Sequence, residues 1–204
     1  MTALLFVVGA YLLGSIPFAI LASKALRLPD PRTYGSHNPG ATNVLRSGNK
    51  QAAILTLAGD IAKGAVAVLL AKHFLAGELG AVYLVAVAVF LGHVFSVFLR
   101  FQGGKGVATA LGVLLALNWL MGLVTLGIWL AVAGIFRYSS LSAIVAAVGA
   151  SLYALFSTSM PDAYVYATVT MSALLIWRHT SNIKNLIAGT ESKIGARKDA
   201  VKAE

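Results

Sequence analysis

Long apolar runs alternate with short polar connectors along this chain. A membrane-spanning helix needs about 20 predominantly apolar residues, and most of these runs approach that length. The pattern therefore predicts an all-α, polytopic integral membrane protein. The apolar runs are Met1–Ser23, Gln51–Ala71, Leu79–Leu99, Gly106–Phe136, Ser139–Ser157 and Ala163–Trp177.

The run Gly106–Phe136 admits two interpretations: one over-long tilted helix, or two short helices that turn near Leu117-Asn118-Trp119. If the run forms two helices, all Lys and Arg residues but two lie on the same side of the membrane. The exceptions are Lys72, which lies on the other side, and Lys63, which lies within a span. That distribution satisfies the positive-inside rule. It predicts seven transmembrane helices, with the N-terminus outside and the C-terminus cytoplasmic. Two of them would be short, each covering about 22 Å.

The first run is expected to be retained as a span. A cleaved signal peptide normally begins with basic residues, whereas here Lys24 and Arg27 follow the apolar run and none precedes it.

The composition supports a membrane protein of one domain, residues 1–204. Of 204 residues, 58% are hydrophobic and 11% charged, with a mean hydropathy of +0.82, which leaves little chain for a separate soluble domain. The net charge of +9 comes from connectors and span ends, so it indicates cytoplasmic anchoring and no nucleic-acid partner. The chain has no cysteine, which excludes disulfides and thiolate sites, and its four histidines lack paired spacing, so no metal is expected.

Four polar segments fall at the cytoplasmic boundary of the predicted topology. They are the first loop (34–46, YGSHNPGATNVLR), the GGKG loop (100–106, RFQGGKG), the RYSS loop (137–142, RYSSLS) and the C-terminal loop (178–192, RHTSNIKNLIAGTES). Each alone is compatible with an ordinary turn. Four together, each with a cation, a His or a group of Ser, Thr and Asn, indicate a functional site.

The glycines and cations of these segments predict phosphate binding. Serial glycines can present backbone N–H groups as a concave donor surface, and a nearby cation supplies the charge. The sequence GGKG is not a nucleotide-binding P-loop, because Gly106 follows Lys105 where that motif requires Ser or Thr. The first loop offers a second such surface, with Arg46 as a bidentate clamp.

Three stretches of the chain resemble the signature loops of a known family. They are GSHNPGATNVLR (35–46), GHVF (92–95) leading to FQGGKGVAT (101–109), and HTSNI (179–183) with GTE (189–191). In this order they resemble the bacterial acyl-phosphate:glycerol-3-phosphate acyltransferases, the PlsY family. The resemblance runs from Gly14 to Ile194, and the residues after about Ile194 are expected to form a flexible tail.

The resemblance implies a reaction and its partners. A fatty acyl group passes from a long-chain acyl phosphate to the 1-hydroxyl of glycerol 3-phosphate, giving lysophosphatidic acid and inorganic phosphate, an early step of phospholipid synthesis. No nucleotide, CoA, cofactor or metal is required. The resemblance places the enzyme in the bacterial inner membrane with its active site facing the cytoplasm, and a monomer is expected because seven spans can enclose a complete site.

We expect Lys105 and Arg46 to hold the phosphates, although both could be helix-end anchors. His179 and Asn182 share a face if that end is helical. His179 could act as general base or only bind phosphate, and a substrate phosphate could itself accept the hydroxyl proton. The other expected binding residues are Ser36, His37, Asn38, Gly40, Thr42, Asn43, Gly103, Gly104, Gly106, Ser140, Ser142, Gly189 and Glu191.

Several polar residues also have structural interpretations. Ser140 and Ser142 could equally be helix N-caps. Glu191 is expected to orient a cation, Asp60 and Lys63 to neutralise each other, and His93 to be buried and hydrogen-bonded.

The alternative function is a small membrane transporter of an organic phosphate. Transporters tend to place their site near the membrane midplane between repeated halves. The polar segments here gather at one boundary, and the halves show no convincing repeat, so the acyltransferase is favoured.

Overall fold

The computed structural model describes residues 1–195, and every regular element in that part of the chain is helical. The one 3₁₀ turn among these residues is Val97–Leu99. The α-helices are α1 Thr2–Ser15, α2 Phe18–Ala25, α3 Ala41–Leu45, α4 Lys50–Phe74, α5 Leu79–Val94, α6 Val107–Leu117, α7 Trp119–Phe136, α8 Ser139–Phe156, α9 Asp162–Arg178 and α10 Thr180–Ile187.

Four helical segments within the described residues are long and apolar enough to cross a membrane: Lys50–Phe74, Leu79–Leu99, Trp119–Phe136 and Ser139–Phe156. Helices α1 and α2 together make a fifth candidate, bent by 41°. The all-helical membrane fold is thus confirmed. Seven spans, an outside N-terminus and a cytoplasmic C-terminus stay predictions.

The first predicted span is broken, whereas the sequence pattern suggested one helix. The break lies at Ile16 and Pro17. Proline lacks the N–H that would continue the helix, and its ring disfavours the helical conformation of the preceding residue. The C=O of Ile16, left without a helical partner, accepts a hydrogen bond from Lys63 Nζ at 2.9 Å.

The run Gly106–Phe136 forms two helices, as predicted, with the turn at Asn118. The Asn118 side-chain oxygen accepts the N–H of Met121 at 2.9 Å and caps α7. The expectation of two equally short helices is wrong, because α6 has 11 residues and α7 has 18. Lys72 donates to the C=O of Ala116 (2.9 Å) and of Leu117 (3.3 Å), so its ammonium stabilises the end of the short helix.

Glycines allow two pairs of helices to cross closely. A side chain at Gly14 or Gly92 would collide with the backbone of the partner helix where α1 crosses α5. Gly64 and Gly112 play the same part between α4 and α6. Small residues at such crossings are the usual means by which membrane helices approach each other. Packed in this way, α4, α6, α7, α8 and α9 surround a large internal space.

The four polar segments meet at one end of this bundle, as the sequence predicted. Thr42 Oγ1 lies 3.1 Å from Ser139 Oγ, which joins the first loop to α8. The GGKG loop contacts the C-terminal loop through Lys105 and Asn182. The N–H of Ile194 donates to the C=O of Arg137 at 2.6 Å. The basic tail residues Arg197, Lys198 and Lys202, and most of the predicted flexible tail, lie outside the described residues.

Candidate active site

A cavity of about 1110 Å³ opens among the polar segments and extends between the helices. Its polar end is lined by the first loop, the start of α6, the start of α8 and the C-terminal loop. Its deeper walls are apolar and come mainly from α4, α6, α7, α8 and α9. The cavity therefore suits a ligand with a polar head and a long apolar part.

Asn43 holds the first loop together. Its side-chain oxygen accepts the N–H of Ser36 at 2.9 Å, and its amide donates to the C=O of Pro31 (2.6 Å) and of Tyr34 (3.2 Å). Gly35, at φ +62°, leaves room for that oxygen, with which a side chain would collide. Asn43 lines the cavity, but its amide hydrogens already have protein acceptors, so the structure gives it an organising role in place of the expected phosphate contact.

The other expected residues of the first loop line the polar end of the cavity. His37 is anchored through Nδ1, which donates to the C=O of Arg32 at 2.9 Å. Arg46 Nη1 lies 3.5 Å from Asn43 Oδ1, and no carboxylate among the described residues forms an ion pair with it. The cavity-lining residues are Ser36, His37, Asn38, Gly40, Thr42 and Arg46.

Gly103 and Gly104 differ from the expectation, because their N–H groups are already used. They donate to the C=O of Val94 and of His93, each at 3.1 Å, and a side chain on either glycine would collide with His93. These two glycines therefore fasten the GGKG loop against the end of α5, and neither lines the large cavity.

The available backbone donors lie just after these glycines. Gly106, at φ +86°, turns the chain into α6. The N–H groups of Lys105, Gly106, Val107, Ala108 and Thr109 find no acceptor within residues 1–195. Lys105, Gly106 and Val107 line the cavity. The free N–H groups of a helix N-terminus suit an anion, so of the expected Gly103 to Gly106 backbone the N–H groups of Lys105 and Gly106 are the ones available to phosphate.

A chain of hydrogen bonds orients Lys105. Its ammonium donates to Asn182 Oδ1, and the Asn182 amide donates to Glu191 Oε1 at 2.7 Å. Ser140 Oγ donates to the same carboxylate oxygen at 2.6 Å. Four predicted site residues, from three polar segments, are thus connected. Glu191 was expected to pair with a cation, but it accepts hydrogen bonds from two neutral side chains and reaches Lys105 only through Asn182.

The charge of Lys105 is in an unfavourable setting for an ammonium. Burial lowers its pKa, Glu191 acts in the opposite direction, and the nearby Arg178 and Arg46 lower the pKa further. An anion bound beside Lys105 would relieve this repulsion.

His179 is only 2% exposed and lines the cavity. Its Nδ1 lies 2.8 Å from the C=O of Leu175 and therefore carries the proton, since a carbonyl oxygen only accepts. Nε2 of the neutral ring is left as an acceptor. Burial, with a smaller contribution from Lys105, lowers the pKa of His179 to about 4, so the ring is neutral at physiological pH. A pKa suited to a general base near neutrality was expected, and the buried position of the ring explains the difference.

Two further expected residues lie away from the cavity. Ser142 is buried, and its hydroxyl donates at 2.7 Å to the C=O of Tyr138, the residue just before α8. Gly189, at φ +69°, ends α10 in the left-handed conformation that glycine favours. Both have structural roles, and neither lines the cavity.

Sequence reasoning missed Arg178, which donates to the C=O of Gly103 at 3.3 Å and lies close to that of Gly104. It anchors the GGKG loop beside the end of α5, where its guanidinium lies 5.9 Å from the centroid of the Phe95 ring. Its position directly before His179 was the only available signal. Ser139, Ser181, Asn185 and Thr190 also line the polar end and were not predicted.

Comparison with known proteins gives one consistent result. The family model described as glycerol-3-phosphate acyltransferase matches residues 4–189. A protein of that name from Herminiimonas arsenicoxydans is 60% identical over 201 residues, covering 97% of this chain and 98% of the relative. One from Burkholderia cenocepacia (strain HI2424) is 57% identical over 202 residues, covering 98% and 94%.

Two crystal structures have the same fold. Both are of PlsY, an integral membrane glycerol 3-phosphate acyltransferase, in its glycerol 3-phosphate form and its lysophosphatidic acid form. Their TM-scores are 0.89 and 0.88, with 38% identity and 96% of each chain covered in both cases.

Proposed function

Because the chain belongs to the glycerol-3-phosphate acyltransferase family, as a membrane protein of the PlsY type, we propose that its acyl donor is an acyl phosphate. The acyl group passes to the 1-hydroxyl of glycerol 3-phosphate, and the products are lysophosphatidic acid and inorganic phosphate. We further propose that the protein lies in the bacterial inner membrane and acts as a monomer, with the polar end of the cavity facing the cytoplasm.

The amphipathic cavity carries this proposal. Its apolar depth suits a fatty acyl chain, and its polar end has two cations, Lys105 and Arg46, from separate segments. Two cations match a reaction in which donor and acceptor each bring a phosphate. The PlsY structures with glycerol 3-phosphate and with lysophosphatidic acid support the same substrate and product here.

The reaction requires the two substrates to be held close in spite of their charge. An acyl phosphate is an activated mixed anhydride, so positioning and charge neutralisation provide most of the catalysis. Lys105 and the first turn of α6 are placed to bind one phosphate. Arg46, with Ser36 and Thr42, is placed to bind the other.

Base strength favours a substrate phosphate as the proton acceptor. The pKa of His179 is about 4, whereas a phosphate monoester has its second pKa near ~6. The glycerol hydroxyl oxygen attacks the carbonyl carbon, the bond from that carbon to the phosphate oxygen breaks, and the hydroxyl proton passes to phosphate. His179 Nε2, which can only accept, would bind the other hydroxyl of glycerol 3-phosphate and so orient the reacting one.

The donor is tested with the purified protein in detergent. Palmitoyl phosphate plus glycerol 3-phosphate should release inorganic phosphate and form lysophosphatidic acid in equal amounts. Either substrate alone should give only the spontaneous background. Efficient transfer from palmitoyl-CoA, or no transfer from palmitoyl phosphate, would overturn the proposed donor.

A further inference from the structure

Three ionisable side chains form a buried cluster in α4 and α5 that the proposed reaction does not use. Asp60, Lys63 and His93 are 2%, 3% and 8% exposed. Lys63 Nζ lies 2.7 Å from Asp60 Oδ1, and His93 Nδ1 lies 3.4 Å from the same oxygen. Ionisable groups within a membrane protein are costly to bury, which makes this cluster a candidate for a functional role.

The cluster packs against the GGKG loop through His93. Gly104 rests on the imidazole of His93, with which any side chain at that position would collide. The N–H of Gly104 donates to the C=O of His93 at 3.1 Å. The ring and backbone of His93 thus set the position of Gly104, and Lys105 is the next residue.

Packing around the cluster is tight. A cavity of about 10 Å³, lined by all three side chains, Pro39 and Gly104, separates it from the first loop. That volume is at the limit for a single water molecule. The cluster therefore has no room for a substrate of its own, although Asp60 and His93 also reach the wall of the large cavity.

Arg178 is a second anchor of the loop, through the C=O of Gly103. The loop is thus held by this arginine and by His93, whose Nδ1 lies 3.4 Å from Asp60 Oδ1. A shift of His93 would move Gly104 and carry the Lys105 ammonium away from Asn182.

We infer that Asp60 is a positioning residue for catalysis: through its contacts with His93 and Lys63 it fixes the imidazole on which Gly104 lies, and so aims Lys105 at the substrate phosphate. The inference rests on the proposed function, in which Lys105 binds phosphate. Lys63 completes the arrangement by joining the carboxylate to the C=O of Ile16 at the break between α1 and α2.

The test is a double-mutant cycle between Asp60 and Lys105. Asp60→Asn keeps the side-chain volume and removes the charge. It should lower kcat/KM by about tenfold in the wild-type background, because misplacement by about 1 Å costs up to about a hundredfold. In the Lys105→Ala background it should change kcat/KM by less than about twofold, since residues acting on one interaction are not additive. A general loss of folded protein would instead lower both backgrounds equally.

A second variant controls for misfolding, because Asp60→Asn alone leaves the buried Lys63 without its carboxylate partner. Asp60→Asn/Lys63→Met removes both charges, a change that is often tolerated in protein interiors. It should keep the thermal stability in detergent and still show the loss of kcat/KM. The matched control is Thr56→Val, at a buried position one turn earlier in α4 whose hydroxyl only donates to the C=O of Ala52. It should leave kcat/KM unchanged.

The outcomes separate this inference from the proposed function. An inactive wild-type protein contradicts the proposed function, and a fully active Lys105→Ala contradicts the role given to Lys105. The positioning role alone is tested when the wild type is active and Lys105→Ala is impaired. It is overturned if the effects of Asp60→Asn and Lys105→Ala are additive. It is also overturned if Asp60→Asn/Lys63→Met has wild-type kinetics.

Discussion

The ammonium of Lys105 combines the two properties that the proposed site needs, a charge and a defined direction. It donates to Asn182 Oδ1 and lies next to the unpaired N–H groups at the start of α6. Asn182 is held in turn by Glu191, which also accepts from Ser140. A single cation is thus oriented by side chains distant from it in sequence.

Lys105→Ala is expected to lower kcat/KM by about two orders of magnitude, equivalent to roughly 3 kcal/mol of transition-state stabilisation. Folding should be preserved, because the residue is half-buried in a connector and forms no ion pair within the described residues. Steady-state assays after matching thermal stability in detergent provide the measurement. Lys184→Ala, exposed on α10 and away from the cavity, is the control. Near-wild-type turnover of Lys105→Ala would show that the lysine is only an anchor.

The pH dependence of activity separates His179 from the substrate phosphate as proton acceptor. The pKa of His179 is about 4, below its ordinary 6.5, so the ring stays neutral from about pH 5 to 8 and adds no titration there. As the pH is lowered, kcat/KM should fall when the substrate phosphate becomes protonated, at about pH 6. His179→Gln should lower the rate but keep the same decline of kcat/KM at low pH. If the decline at low pH disappears in His179→Gln, the histidine is the base.

At the scale of single elements, α8 provides one wall of the cavity with a row of alanines: Ala143, Ala146, Ala147 and Ala150. From Ser139, at the polar end, to Ala150 the helix rises about 16 Å. Thr168 on α9 also lines this deeper part of the cavity, at a similar distance along its helix from His179. An extended chain advances about 1.2 Å per bond, so this depth accommodates roughly a dozen carbons.

Ala150→Phe is expected to shorten the acyl chain that the enzyme accepts. The added ring fills the deep end of the cavity and leaves the polar end unchanged. The ratio of kcat/KM for palmitoyl phosphate to that for octanoyl phosphate should fall by about tenfold or more, the cost of one or two kcal/mol of overpacking. Val148→Phe makes a similar substitution on the exposed face of the same helix and should leave the ratio unchanged. An unchanged ratio in Ala150→Phe would place the acyl chain elsewhere.

The arrangement of the whole molecule in the membrane follows from its charge distribution. Basic residues gather at the end of the bundle that holds the polar segments, and Lys72, near the far end of α4, is an exception. By the positive-inside rule we predict that this end faces the cytoplasm. Glycerol 3-phosphate would then reach the site from the cytoplasm, and the acyl chain would remain within the apolar part of the bundle.

Cysteine labelling tests this orientation directly, because the natural chain has no cysteine and any introduced thiol is unique. A membrane-impermeant thiol reagent added to intact cells should label Glu78→Cys and Ser159→Cys. Lys24→Cys and Lys184→Cys should react only after the membrane is opened. All four positions are exposed. Labelling of Lys184→Cys in intact cells would reverse the proposed topology.

The sequence by itself determined the membrane environment, the helical class, the turn at Asn118 and the gathering of the polar segments at one end. These features depend on local composition, on charge distribution and on the length of apolar runs. The order of the three signature stretches also identified the family. None of this required knowing which helix packs against which.

Only the tertiary structure decided what each polar group contacts. The N–H groups of Gly103 and Gly104 are used by the end of α5, the amide of Asn43 is used within its own loop, and the Ser142 hydroxyl bonds to its own helix. Burial makes His179 a neutral acceptor with a low pKa. A sequence shows which donors and charges exist and how far apart they lie along the chain, but their partners and their exposure are set by helix packing between distant residues.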